Sequence, residues 1–371
     1  MEDKIRSRNH ARIRYVDQII HLGTQIIKSS AKGRICLFGE HQDYLGLPVI
    51  TCTIDRRIEI KGQENLSKQF NIHLPDIDQH RQIDLSAADR EPEARDYFAS
   101  AIKVLTRSGI NIDHGHDVVV QGNIPINSGL SSSSALCLAW IRYLIKAFSD
   151  QEFSPSQIGY WAYEAEVLEH GEPGGMMDQF AIAHEGLVHI QTTVPYEVKQ
   201  LAGSIPELVV ADSGQEKSTL DVLKKAKEGG LLALEHIKKL FPNEAVSELT
   251  FDHINALSKR IPSSVLPYLK ATIGNYEITR RAHDLLQQNA PHEQALGQLM
   301  NQHQELLRND LKVSTPELDN LVDKACSAGA LGAKLVGSGG GGCIVAITPG
   351  RTNEVIEALD AEGAKEVFQA N

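Results

Sequence analysis

The spacing of apolar residues changes several times along the chain, and each change marks an element. Ile13, Val16, Ile19, Ile20 and Leu22 recur at helical spacing and predict a helix within residues 1–30. Residues 34–38 and 49–54 are β-rich and flank a polar turn, and 58–85 alternate weakly, as strands joined by polar turns do. Residues 93–108 read as a helix. Asp117–Gln121 carries three consecutive valines and reads as a buried strand. Leu136, Ala139, Trp140, Tyr143, Leu144, Ala147 and Phe148 then return to three- and four-residue spacing, a strongly marked helix. A further helix is predicted over 155–170, and strands over 187–191 and 207–211. Beyond about residue 215 the pattern is mostly helical to 328, followed by a strand pair over 333–348 and a last helix over 352–360. Strands and helices come in mixed order, which favours an α+β fold over regular βαβ alternation. Pro195 and Pro206 mark a boundary near 193–206, dividing the chain into domains 1–195 and 196–371.

Composition narrows the function classes. The chain has 371 residues, enough for two domains and an ample core, with a net charge of −11 that argues against a general nucleic-acid or anionic-membrane binder. No apolar run approaches a membrane span, and Met1-Glu2-Asp3-Lys4 lacks a signal-peptide core. The five cysteines (Cys36, Cys52, Cys137, Cys326, Cys343) are widely spaced without a CxxC pair and read as buried free thiols in a reducing compartment, the cytoplasm.

Four segments carry chemistry. Residues 122–135, Gly-Asn-Ile-Pro-Ile-Asn-Ser-Gly-Leu-Ser-Ser-Ser-Ser-Ala, form a small-residue loop that opens the best-marked helix. Unpaired N–H groups at the positive end of the helix dipole bind anions, phosphate above all, and the serines can cap the helix or hold a metal–phosphate complex. Lys334-Leu-Val-Gly-Ser-Gly-Gly-Gly-Gly-Cys-Ile-Val-Ala-Ile347 matches G-x-G-x-x-G formally, but a strand follows it instead of a helix, so the dinucleotide fingerprint fails. Four glycines in a row suit a close approach to another backbone or to a phosphate-bearing loop. Residues 33–46 deliver Glu40, His41, Asp43 and Tyr44 from the end of a strand, a density of polar groups that suits a polyhydroxylated ligand. In the fourth segment, a helix bearing Glu164, Glu166 and Glu169 ends at His170-Gly171, and a Pro/Gly loop then leads to Asp178. Its acids and histidine match neither HExxH nor ExxH, which excludes the usual zinc and di-iron patterns.

In order and spacing these segments resemble the GHMP kinase superfamily, which includes galactokinase, homoserine kinase and mevalonate kinase, over essentially the whole chain. Gly33-Arg34 through Gly46 is similar to the galactokinase signature G-R-x-x-x-x-G-E-H-x-D-Y-x-G, residues 124–135 to the superfamily's phosphate loop, and residues 174–180 to the galactokinase motif G-x-M-D-Q-F. Val313–Asp319 and Gly329–Lys334 are also galactokinase-like. The resemblance implies an N-terminal domain like the second domain of ribosomal protein S5 and a ferredoxin-like C-terminal domain. It implies an ATP- and Mg²⁺-dependent kinase for a monosaccharide, acting at the anomeric hydroxyl. Asp178 would be the base and Arg34 its partner. Glu40, His41, Asp43 and Gly175 would bind the sugar. Ser128, Gly129, Leu130, Ser131, Ser132, Ser133 and Ser134, with Gly339 and Gly340, would hold the nucleotide, and Ser133 and Glu166 would ligate the metal. The implied partner is a small-molecule sugar, with neither nucleic acid nor membrane, and the implied assembly is a monomer or weak homodimer.

Two departures widen the range of acceptors. The tyrosine that galactokinases carry after the strand following the active-site Asp is missing: none lies between Tyr196 and Tyr268. Asp212-Ser-Gly-Gln-Glu-Lys-Ser-Thr219 and Ile35-Cys-Leu-Phe-Gly-Glu-His41 are closer to mevalonate kinases. Transfer to a non-sugar alcohol, and a catalytically silent sensor of sugar and ATP, are therefore the alternatives.

Overall fold

A computed structural model describes residues 25–87, 92–215, 219–257, 260–288 and 292–371. Among these residues the strands form two sheets. The first holds β1 (Ile27–Phe38), β2 (Val49–Glu64), β3 (Gln69–Leu74), β4 (Gln79–Asp84), β5 (His116–Gly122), β6 (Leu187–Gln191) and β7 (Glu197–Gln200), in the order β4-β3-β5-β2-β6-β7 with β1 also on β2. The second holds β8 (Leu208–Asp212), β9 (Gly332–Leu335), β10 (Cys343–Ile347) and β11 (Glu366–Gln369), in the order β11-β8-β10-β9. All pairings are antiparallel except β3 with β5. This is the α+β arrangement expected from the element order.

The 16-residue β2 organises the first sheet. β1 follows one of its edges from Phe38↔Ile50 to Ile27↔Gly62. The other edge is shared end to end, by β6 at Val49–Cys52 and by β5 at Ile58–Glu64. Helix Ser132–Phe148 packs on β1, burying Trp140 and Tyr143 completely. Their rings stack 5.5 Å apart, and Phe70 meets Trp140 edge-on at 5.3 Å. Offset stacks and edge contacts are the arrangements that the ring quadrupoles favour. Tyr143 also needs a partner for its hydroxyl in this core, and His116 Nδ1 provides one at 2.7 Å.

Most elements lie where the apolar pattern puts them, with some corrections. The helix expected over 1–30 falls mainly on residues 1–24, outside the described residues, and 27–30 belong to β1. There Ser29 and Ala31 face inward on alternate positions, and the Ser29 hydroxyl donates to the Ala139 carbonyl at 2.7 Å. Helix 155–170 is shorter: Pro155–Tyr163 is α-helical, and Glu164–Leu168 is a π-helical turn that carries Glu166. β7, just past the 195/196 division, belongs to the first sheet, and β8 is the first strand of the second.

Candidate active site

β1 loses register with β2 on either side of the segment that carries Arg34, between Lys32 and Arg34 and again between Cys36 and Phe38. Such irregularities re-aim side chains. At the first slip Gly33 lies against the phosphate loop, where an added Cβ would sit 3.0 Å from the Leu130 carbonyl. The Arg34 N–H donates to that same carbonyl at 3.2 Å.

The Arg34 side chain is 4% exposed and therefore needs a counter-charge. Nε and Nη2 donate to Asp178 Oδ1 and Oδ2 at 2.8 and 2.7 Å, and Nη1 donates to the Gly129 carbonyl at 2.6 Å. This fork-on-carboxylate geometry is the strongest ion-pair form available to arginine. Burial works against the guanidinium charge, but Asp178 outweighs it and raises the Arg34 pKa. Asp178 sits in the first turn of helix Met177–His184 and also accepts a hydrogen bond from Ser131 Oγ.

Ser131 is the N-cap of helix Ser132–Phe148, in the left-handed conformation (φ 59°, ψ 48°), and makes no side-chain capping bond. The capping role open to the serines is thus not taken by this residue, whose hydroxyl is turned to Asp178. Gln179 Nε2 donates to Glu166 Oε2 at 2.6 Å, and the hydroxyls of Ser133 and Ser134 lie near the same carboxylate. Burial raises the Glu166 pKa to about 7 against the opposing hydrogen bonds from Gln179, Ser133 and Ser134.

The turn after β1 forms the other wall. His41 Nδ1 meets the Tyr44 hydroxyl at 2.7 Å, and its Nε2 lies 3.2 Å from the Ser338 carbonyl. Asp43 Oδ2 accepts the Met177 N–H at 3.3 Å. Gly175 has to be glycine because a Cβ there would lie 2.0 Å from Asp43 Oδ2. Burial, and next the charge of Asp178, push the Asp43 pKa up to about 6. A folded carboxyl that keeps its proton to about pH 6, against an ordinary value of 3.8, contributes stability that is complete below 3.8 and lost as pH rises through about 6. Asp43→Asn is therefore expected to gain about 1–2 kcal/mol over the parent at about pH 7.5, after allowance for screening at this half-buried site, and almost nothing at about pH 4. Denaturant midpoints at the two pH values check this; a gain of equal size at both contradicts it.

These groups line one cleft of about 480 Å³. Of the residues expected at a site, Arg34, Glu40, His41, Asp43, Ser128, Gly129, Ser131, Ser132, Ser133, Ser134, Glu166, Gly175 and Asp178 all reach it. Leu130, Gly339 and Gly340 do not line it. Leu130 is fully buried and serves through its backbone. Gly339 presses on Val313, whose carbonyl would be 2.2 Å from an added Cβ, and Gly340 packs against Val222 while donating its N–H to Val313. From the glycine run, Gly337 and Ser338 line the cleft instead. The run is joined to the phosphate loop where the Cys343 N–H donates to the Ser128 carbonyl at 2.8 Å.

The sequence pattern gave no notice of several lining residues. Arg95 reaches the cleft from a positive-φ position (63°) and pairs with Glu172 at 2.7 Å. Tyr97 and Gln179 also line it, and Leu74, Ile77, Ile124 and Ile126 make an apolar wall. Cys36 and Cys52 are free thiols whose pKa values burial raises.

The chain matches three family models: "GHMP kinases N terminal domain" over residues 96–186, "GHMP kinases C terminal" over 283–365, and "Galactokinase galactose-binding signature" over 21–62. It is 28% identical over 337 residues to the galactokinase of Exiguobacterium sibiricum, covering 87% of this chain and 85% of that one. Its fold is similar to the crystal structure of Lactococcus lactis galactokinase complexed with galactose, with TM-score 0.81, 22% identity, and 94% and 93% of the two chains covered. It is also similar to the mevalonate kinase of Methanococcus jannaschii, with TM-score 0.69, 20% identity, and 94% and 98% covered. No described helix is long and apolar enough to cross a membrane.

Proposed function

Since this chain belongs to the GHMP kinases, phosphotransferases with an alcohol group as acceptor, we propose that it transfers the γ-phosphate of ATP to the anomeric hydroxyl of a neutral monosaccharide. One observation carries this reading. Ser131, at the head of the phosphate-loop helix, hydrogen-bonds Asp178, so the proton acceptor stands where the end of the nucleotide would lie. Phosphoryl transfer asks mainly for alignment and for neutralisation of charge on the phosphate oxygens. The open N–H groups of the Ser132 helix and the Arg34 guanidinium supply positive charge, and Asp178 takes the hydroxyl proton. The apolar wall of Leu74, Ile77, Ile124 and Ile126 suits the nucleotide base.

Charge at the acceptor end favours a sugar over mevalonate or a uronic acid. Asp178 and Glu40 are matched by Arg34 and Lys334, which leaves neither cation for an acceptor carboxylate, and Asp43 adds a further carboxyl. A carboxylate on the acceptor would meet like charge. Galactose is the first candidate, because the Lactococcus lactis relative was crystallised with it.

Mg²⁺ fits the residues present. Ser133 and Glu166 offer hard oxygen donors side by side, and buried Gln179 Oε1 has no hydrogen-bond partner. Two protein ligands are what a Mg²⁺ shared with phosphates and water needs, and no group of three or more His, Cys, Asp or Glu residues forms a metal site among the described residues. The ion would neutralise charge on the β- and γ-phosphates.

An ADP-coupled assay over galactose, other aldoses, uronic acids and mevalonate tests the reading, with product identity from phosphorus NMR. Turnover of a neutral aldose to its 1-phosphate is expected, and turnover of mevalonate alone overturns it. Calorimetric binding of ATP and sugar without any product would place the chain among sensors. Chelation of divalent ions is expected to abolish turnover, and Glu166→Gln to raise the Mg²⁺ concentration for half-activity about tenfold or more; an unchanged requirement removes Glu166 from the metal site.

A further inference from the structure

Lys334 opens the glycine run, yet it is no part of the cleft wall. Its side chain is 0% exposed. Nζ donates to Glu40 Oε1, to the Cys36 carbonyl at 3.1 Å and to the Leu335 carbonyl at 2.8 Å. An ammonium has three protons, and all three are used. A buried cation persists only when paired and hydrogen-bonded in this way.

Its partner is divided between two tasks. Glu40 is 1% exposed and lines the cleft, and Oε1 is taken by Lys334. Oε2 has no hydrogen-bond partner. His303 Nδ1 stands 3.7 Å from Oε2, beyond hydrogen-bond reach, and both ring nitrogens of His303 lack partners. Burial, followed by the charges of Lys334 and His41, holds the His303 pKa well below its ordinary value, so this ring adds no positive charge. A buried carboxylate oxygen without a donor is costly, and a ligand hydroxyl that reaches it recovers that cost.

We propose that Lys334 is a positioning residue for the acceptor: it clamps one oxygen of Glu40 from the second sheet and so keeps the other uncommitted, as an acceptor for a sugar hydroxyl. The inference rests on the sugar-kinase reading above. It gives β9, 294 residues away in the chain, a part in recognising the substrate. Lys334 touches neither nucleotide nor sugar in this account and acts only through Glu40.

The test is steady-state kinetics of the full chain with ATP and the sugar turned over best by the parent. Lys334→Met is expected to raise the sugar KM about tenfold or more while the ATP KM stays within about threefold. Glu40→Gln should do the same. In the double variant the sugar KM should equal that of Glu40→Gln alone, since the two changes remove one interaction. A rise in both KM values, a loss confined to kcat, or additive effects on the sugar KM would each overturn the proposal. Thermal melting shows whether Lys334→Met folds. If it does not, the double variant, which removes both buried charges together, is compared with Glu40→Gln: equal sugar KM values support the clamp and a further rise overturns it. A parent that phosphorylates no sugar sinks the kinase reading, whereas an active parent with an indifferent Lys334 variant sinks this inference alone.

Discussion

Asp178→Asn is expected to cut turnover by roughly a thousand-fold while ATP binding stays within a few-fold of the parent. The asparagine keeps the size of the side chain and an oxygen that can accept from Arg34 or Ser131, so the turn at the start of helix Met177–His184 should hold. What it loses is the ability to take a proton. Asp178 is already bound by two guanidinium N–H groups and one hydroxyl. These three bonds fix the carboxylate in one orientation, which proton transfer from the acceptor requires. Rapid-quench turnover and calorimetry with a non-hydrolysable ATP analogue separate the two effects. Turnover within tenfold of the parent would remove Asp178 from the role of base.

Arg34→Met is expected to damage both fold and chemistry. The substitution deletes three hydrogen bonds at a 4% exposed side chain and leaves the Gly129 carbonyl and the Asp178 carboxylate short of donors. Breaking a buried pair from one side costs about 3–5 kcal/mol; the 27% exposure of Asp178 puts the expected loss near 3 kcal/mol. Turnover should fall by at least about a hundred-fold in addition, because the phosphoryl group loses a fixed positive charge. Arg34→Lys should recover much of the stability and little of the rate, since one ammonium cannot span both oxygens of Asp178 and Gly129 as well. Denaturant melts beside single-turnover rates check the split. A lysine variant with full activity would show that a point charge suffices.

Much of this site could be read in the sequence because its chemistry restricts residue types. A strand ending in Gly-Glu-His-Gln-Asp-Tyr, a serine-rich helix start and an isolated Asp after a Pro/Gly loop have few uses in common, and their spacing fixes the family. Facing was harder to read. Leu130, Gly339 and Gly340 sit inside the right loops, but their facing is set by packing: Leu130 is fully buried, and Gly339 and Gly340 press on Val313 and Val222. Arg95 and Tyr97 fall in no motif, and the φ of 63° that carries Arg95 to the cleft leaves no trace in composition. Pairs such as Lys334 with Glu40 join segments 294 residues apart, and helical or strand periodicity does not report such contacts. The start of the first strand is misread when the helical spacing of Ile13, Val16, Ile19, Ile20 and Leu22 is carried on to residue 30, although β1 begins at Ile27.

The unbroken run of β2 has a consequence for how acceptor choice can change. Val49, at one end, sits under Gly39 of the turn after β1, and Ile58, nine residues on, is in the cleft wall. A pleated strand advances about 3.3 Å per residue and hardly stretches. It therefore works as a caliper, setting the span between the two halves of the cleft at close to 30 Å of backbone. Lengthening or shortening it by one residue would turn every side chain beyond that point to the opposite face. Under the proposed reading, a change of acceptor is accommodated by exchanging side chains on the turn at 40–46, within a gauge that the scaffold holds constant.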